Sequence, residues 1–239
     1  GLAHLEKIVN ESSSDFSTLT ILISEYRKTE QWEKALKLLE SFLTKNAQDS
    51  VALNLYGEIF LEMGLREKAY AQFEAACQIQ KDNLRAQLNR AALLEEDDKL
   101  EQSLSIYDLC IQIQPSSELA RYNRGLLFLR LKKLDQAEQE FLFLEKQFPK
   151  NPLTIEGLKR LGDYYYLLKE FQKAQEYFSR ILQIQENEEE TLLRYGMCAL
   201  KNKQYEETSK SFEKLLLLNP DHPKKELLEQ ILNSLEKNK

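Results

Sequence analysis

Asparagine and arginine recur along this chain at a spacing suited to holding another polypeptide. Asn54, Asn89, Asn123, Arg160 and Arg194 follow one another at steps of 34 to 37 residues. An asparagine amide both donates and accepts hydrogen bonds, as a peptide backbone does. An arginine guanidinium can grip a carboxylate with two parallel hydrogen bonds. Glu58, Tyr122, Lys159 and Met197 fall into the same recurring slots and complete a candidate partner-binding set. A plainer reading stands beside this one. Glu156 and Arg160 lie four apart, as do Glu190 and Arg194, and each is then an ordinary intrahelical ion pair worth about 0.2–0.5 kcal/mol. Nothing local calls for Asn89 or Asn123, which makes them the stronger ligand candidates.

Other chemistry is poorly supported. The two histidines, His4 and His222, lie near turns or ends. No HExxH pair, cysteine cluster or zinc-ligand spacing occurs. No glycine-rich phosphate loop and no GxSxG elbow is present. The densest acidic run, Glu95, Glu96, Asp97 and Asp98, lacks the glycine-containing loop and bidentate glutamate of a calcium site, and reads as a solvated turn. No catalytic residue, metal or cofactor is therefore expected. Cys77, Cys110 and Cys198 have no CxxC spacing and read as small buried apolar side chains.

The elements that must position these residues are set by one period. Small residues at Ala35, Ala69, Ser103, Ala137, Ala174 and Thr208 step along the chain by 34, 34, 34, 37 and 34. Twelve before each stands Ile23, Gly57, Ala91, Gly125, Gly162 or Gly196, where two helices approach closely. Four after stands Leu39, Phe73, Tyr107, Phe141, Phe178 or Phe212. Such intervals mark paired helices with one apolar stripe each, and a constant period near 34 marks a stack of repeats without a single globular core. Only seven glycines and five prolines in 239 residues agree with a nearly all-helical chain. Pro115, Pro149 and Pro220 stand where each second helix ends. Three extra residues before the fifth repeat, around Lys150, Asn151 and Pro152, predict a longer turn where the stack bends.

This sequence of slots resembles the tetratricopeptide repeat family, most closely in Tyr122, Asn123, Arg124 and Gly125 followed by Leu134, Asp135, Gln136 and Ala137. The resemblance covers about residues 16–222 as six units: 16–49, 50–83, 84–117, 118–154, 155–188 and 189–222. Residues 1–15 would be part of a preceding repeat or an N-terminal capping helix, with Ser14 or Asp15 capping the next helix. Residues 223–239 would be a C-terminal capping helix. Gln87 and Arg121 depart from the pattern, since that slot usually holds a bulky apolar residue. The resemblance implies an all-α, right-handed superhelical solenoid of antiparallel helix pairs. It also implies a concave groove, lined by the first helices, that holds a peptide segment. Some family members grip a chaperone's C-terminal carboxylate with a lysine–asparagine–asparagine–lysine–arginine set. The third to fifth units match it only at Asn123 and Arg160, which argues against that role.

The leading functional reading is thus a non-enzymatic scaffold or adaptor binding a protein or peptide segment with apolar anchors and some acidic character. The alternative is a recognition domain cut from a larger exported, membrane-associated or catalytic protein. A net charge of −6 argues against nucleic acid as partner, and no apolar run is long enough for direct membrane insertion. Free thiols favour the cytoplasm, with a periplasmic or exported location open if a signal sequence was removed. The recurring Gln-Ile-Gln at 78–80, 112–114 and 183–185 suggests recently duplicated units of a bacterial kind. Oligomeric state and partner identity are not encoded in any motif.

Overall fold

The computed structural model describes residues 16–237, and among these every regular element is an α-helix. The chain divides between residues 120 and 121 into two compact units. In the first unit α1 (Phe16–Lys28) pairs with α2 (Trp32–Lys45), α3 (Ser50–Glu62) with α4 (Arg66–Ile79), and α5 (Leu84–Glu96) with α6 (Leu100–Ile113). The division falls within the first turn of α7 (Glu118–Arg130), and in the second unit the rest of that helix is followed by α8 (Leu134–Gln147). Then α9 (Pro152–Leu167) pairs with α10 (Phe171–Ile184), α11 (Glu189–Lys201) with α12 (Tyr205–Leu218), and α13 (Lys225–Glu236) ends the series. This is the all-α repeat class that the period predicts.

Four of the six pairs are closed by the same contact. A Cβ built on Gly57, Gly125, Gly162 or Gly196 would lie 2.6, 2.7, 2.8 or 2.4 Å from the ring of Phe73, Phe141, Phe178 or Phe212 respectively. All four rings are fully buried. The glycine therefore lets the second helix press a whole aromatic ring against the first helix's backbone, burying some 150 Å² or more of apolar surface. Gly157 does the same from the following pair, its Cβ position lying 2.4 Å from Phe141. In the first pair the two slots hold Ile23 and Leu39, both fully buried, so a larger residue is matched by a smaller partner.

The turn inside each pair is equally uniform. Glu30, Gly64, Asp98, Lys132, Lys169 and Lys203 all have φ between 55° and 75°. The following residue's N–H bonds the carbonyl five positions back, as in Gln31 to Tyr26 at 2.8 Å and Gln204 to Ala199 at 2.9 Å. This is the Schellman ending, with a left-handed residue just past the helix. Only Gly64 adopts that conformation without strain; a residue with a Cβ there costs roughly 1–2 kcal/mol, less the extra entropy glycine loses on folding. Lys203→Gly should therefore raise stability by about 0.5–1 kcal/mol in urea unfolding. A lower midpoint for the variant would show that Lys203 makes a contact worth more than its strain.

The junction before the fifth pair differs from the expected longer turn. The linker 148–151 is four residues long, like 46–49, 80–83 and 114–117, and the extra residues lengthen α9 to 16 residues against 13 for α1, α3, α5, α7 and α11. The cause is local. Asn151 Oδ1 accepts from Leu153 N at 2.8 Å, and Pro152 occupies the first helical turn, where its missing N–H is harmless. The Thr154 hydroxyl donates to Phe148 O at 2.8 Å and ties the added turn down. Asp49, Asn83, Ser117 and Glu188 cap α3, α5, α7 and α11 in the same manner.

Gln87 and Arg121, which stand in an apolar slot, are accommodated by polar partners. Gln87 Nε2 donates to Lys81 O at 3.0 Å. Arg121 lies 3.6 Å from the Phe143 ring centroid and donates to buried Glu140 at 2.9 Å. At the C-terminal end, Leu228 and Leu235 of α13 are buried, and Ile231 and Leu232 pack with Phe212 and Leu215, while Lys225, Glu229 and Glu236 are exposed. The expectations for residues 1–15 lie outside the described residues. Among the described residues no helix is long and apolar enough to cross a membrane.

Candidate functional site

The recurring slots that carry the candidate residues fall on the first helix of every pair. In the first unit they form a closed polar network. Asn89 Nδ2 on α5 donates to Asn54 Oδ1 on α3 at 3.0 Å, and Asn54 Nδ2 donates to Glu58 Oε1 at 2.9 Å. Glu58 also takes Arg85 Nε at 2.7 Å and Arg27 Nη1 at 3.3 Å, and Arg27 Nε bonds Glu62 at 3.0 Å. Asn54 and Glu58 are only 3% and 9% exposed. The view that nothing nearby needs Asn89 is thereby corrected: its partner sits 35 residues away, in the equivalent row of the preceding pair. Arg27 and Arg85 belong to this network although the recurring slots do not single them out. The available signal was their opposite charge to Glu58 one repeat away.

In the second unit, α7, α9 and α11 present Tyr122 and Asn123, then Lys159, Arg160 and Asp163, then Arg194 and Met197. Arg160 Nη2 pairs with Glu156 at 2.7 Å, the intrahelical bridge the plainer reading proposed. Arg160 also meets the Tyr122 hydroxyl; burial, then the charge of Glu156, push that phenol up from its usual range. Lys159 is bonded to Glu190, which that hydrogen bond holds below the ordinary carboxylate range. Arg194 is different. Its Nε stands 3.5 Å from Asp163 Oδ1 and its Nη2 4.0 Å from Glu190, so neither contact is a hydrogen bond. Asp163 is pushed up by burial, which the neighbouring Arg194 only partly offsets. Half-buried Asn123 makes no side-chain hydrogen bond among the described residues. Met197 packs on the cluster of Leu192, Leu193 and Phe212.

Elsewhere the titratable groups are spent on the fold. Arg66 pairs with Glu96 and, at 3.0 Å, with Asp97, and the Tyr107 hydroxyl bonds Glu95 at 3.3 Å, so the acidic run is a set of structural contacts. No group of three His, Cys, Asp or Glu side chains could hold a metal among the described residues. Burial pushes the Cys77 thiol up to about 11 and those of Cys110 and Cys198 up to about 12, far from a reactive thiolate. Tyr165 and Tyr177 stack with centroids 5.7 Å apart, and both donate to Glu138 at 2.6 Å.

Family models described as tetratricopeptide repeat match residues 51–83, 155–188 and 189–222. Among curated proteins, the BBSome complex member BBS4 homolog of Drosophila melanogaster is 22% identical over 192 residues, which is 80% of this chain and 39% of that protein. The protein O-mannosyl-transferase TMTC1 of Homo sapiens is 26% identical over 137 residues, 56% of this chain and 16% of that protein. The chain thus spans well under half the length of these relatives. Solved structures share the fold. The C-terminal part of a repeat-containing protein from Cytophaga hutchinsonii aligns with a TM-score of 0.75 at 14% identity, over 95% of this chain and 92% of that one. PilW, a type IV pilus biogenesis factor, aligns at 0.67 and 18%, over 89% and 97%. YrrB, described as having an unusual peptide-binding site, aligns at 0.59 and 11%, over 83% and 97%.

Proposed function

We propose that this chain, which belongs to the tetratricopeptide repeat family, is a non-enzymatic scaffold that holds a segment of a partner protein on the first-helix face of its second unit. The observation that carries this is the contrast between the two units. The polar residues of the first-unit face, Asn54, Glu58 and Asn89, bond one another. In the second, Asn123 makes no side-chain hydrogen bond and Arg194 is held only loosely, with Leu126 and Met197 part-buried beside them. Polar groups left unmatched around apolar side chains mark a surface that another chain completes. Within this reading Asn123, Arg194, Tyr122 and Met197 contact the partner. Lys159 and Arg160 contribute after exchanging their present carboxylates, and Asn54, Glu58 and Asn89 hold the first unit's geometry. The six helix pairs are the six repeats, and α13 caps them.

A second reading, that these repeats are the recognition arm of a larger protein, is favoured by the 39% and 16% shares of the relatives. Sequencing the full transcript decides it.

Panning a random peptide library on the whole chain tests the proposal while the natural partner is still unidentified. Recovered peptides should bind about thirtyfold more weakly to Asn123→Ala/Arg194→Ala, since two hydrogen bonds at about 1 kcal/mol each are lost. They should bind unchanged to Lys210→Ala on α12. Peptides indifferent to the first pair and sensitive to Lys210 would move the site to another face.

A further inference from the structure

We infer that one edge of the second unit, where its helix pairs turn back on themselves, docks on a membrane surface rich in anionic phospholipid. Three turns build that edge: 131–133 between α7 and α8, 168–170 between α9 and α10, and 202–204 between α11 and α12. The alternation of helix direction puts all three at the same end of the stack. Tyr165 near the end of α9 donates to Glu138 near the start of α8 at 2.6 Å, and Asn202 Nδ2 donates to Gln175 of α10 at 2.7 Å. Neighbouring turns are thus held side by side. None of the residues argued below belongs to the partner-binding set.

Each turn places a lysine in the left-handed conformation, Lys132, Lys169 and Lys203. Glycine enters that region without strain, yet lysine stands there three times. Among the described residues none of these three forms an ion pair, nor do exposed Lys133 and Lys201. The acids nearby are mostly engaged. Glu170 pairs with Lys173 at 3.0 Å, and Glu206 and Glu207 with Lys210 at 2.9 and 3.4 Å. Residues 130–135, 167–173 and 201–207 carry seven basic and four acidic side chains, in a chain whose net charge is −6. This edge is therefore locally positive on an acidic protein. At the opposite end, linkers 148–151, 185–188 and 219–224 set Lys150 and Lys224 against Glu186, Glu188 and Asp221.

Apolar groups stand among the lysines. Leu167 is 79% exposed, Leu168 50% and Tyr205 48%, next in sequence or nearly so to Lys169 and Lys203. An acidic peptide or an RNA answers the charge alone. A membrane surface answers both features: the leucines enter the headgroup boundary, and the lysine stems lie along it with their ammonium groups at the phosphates. Two signals of this kind, apolar and basic, are what reversible membrane attachment requires.

Cosedimentation of the whole chain with vesicles tests the assignment. The chain should pellet with vesicles of about one part phosphatidylserine to three of phosphatidylcholine, and not with phosphatidylcholine alone. Binding should fall as salt is raised. Each lysine near an anionic surface is worth about fivefold, so Lys132→Gln/Lys169→Gln/Lys203→Gln should bind about a hundredfold more weakly. Leu167→Ser/Leu168→Ser, with every charge intact, should lose about tenfold. Lys146→Gln/Lys150→Gln/Lys224→Gln at the opposite end matches the first variant in net charge and should stay within about twofold of wild type. No binding to the mixed vesicles, equal binding to phosphatidylcholine alone, or equal losses in the two lysine variants overturns the assignment. So does pelleting that RNA or polyglutamate competes away and that Leu167→Ser/Leu168→Ser leaves unchanged, which would give the edge to an acidic polymer.

Discussion

Replacing Gly196 with valine should destabilise the chain by about 3 kcal/mol, the upper end of what overpacking usually costs. The ideal Cβ at this position lies 2.4 Å from Phe212 Cε1 and 3.2 Å from Ser211 Cβ. Phe212 is fully buried among Leu192, Leu193, Leu215 and Leu228, so its ring has no open side to turn into. Valine adds two methyl groups beyond that Cβ, and the two helices must move apart. The first pair shows how the conflict is resolved elsewhere, with Ile23 set in the same core as Leu39. The double variant Gly196→Val/Phe212→Leu should accordingly recover part of the loss. Urea unfolding of the two variants checks this. A Gly196→Val midpoint equal to wild type would mean that α11 and α12 are not held at the observed separation.

Glu140→Ala should cost about 3–5 kcal/mol, because it breaks a buried ionic set by removing the carboxylate that two arginines share. Glu140 is 5% exposed; Arg121 Nη1 donates to Oε2 at 2.9 Å and Arg124 Nη2 to Oε1. Removing Glu140 takes from both arginines a buried carboxylate that offsets their desolvation. Replacing the whole set is a different matter. The equivalent positions in other repeats hold Leu158 for Arg121, Leu161 for Arg124 and Ile106 for Glu140, all buried. The triple variant Arg121→Leu/Arg124→Leu/Glu140→Ile should therefore be at least as stable as wild type, as buried ion pairs exchanged for packed apolar groups often are. Thermal unfolding of both variants decides it. A single variant within about 1 kcal/mol of wild type would show that water reaches Glu140.

The two cases mark what was legible in the sequence. Gly196 recurs at the same offset as Gly57, so the spacing alone exposed a close approach of the two helices there, and the structure adds that Phe212 is the ring pressed against it. The α9 extension was not legible, since Asn151 and Pro152 suit a turn and a helix start equally well, and only the bond from Leu153 N separates the two. Nor were the left-handed turn residues, because lysine at 132, 169 and 203 carries no signal for a conformation that glycine favours. For the site, the pairing of Glu156 with Arg160 was readable four residues apart. The pairings of Asn54 with Asn89 and of Lys159 with Glu190 span 31 to 35 residues and depend on how adjacent helices are set. The face was visible from the period, but which of its groups remain available became visible only once those longer pairings were known.

The claim that Asn123 belongs to a binding face while Asn54 belongs to the framework can be read in one experiment. Side-chain amide signals of ¹⁵N-labelled protein are followed while a peptide recovered by panning is added. The Asn123 amide pair should shift progressively and saturate with the peptide, and the buried Asn54 pair should stay in place. Movement of Asn54 with Asn123 unchanged, or shifts confined to residues of α8, α10 and α12, would contradict the account.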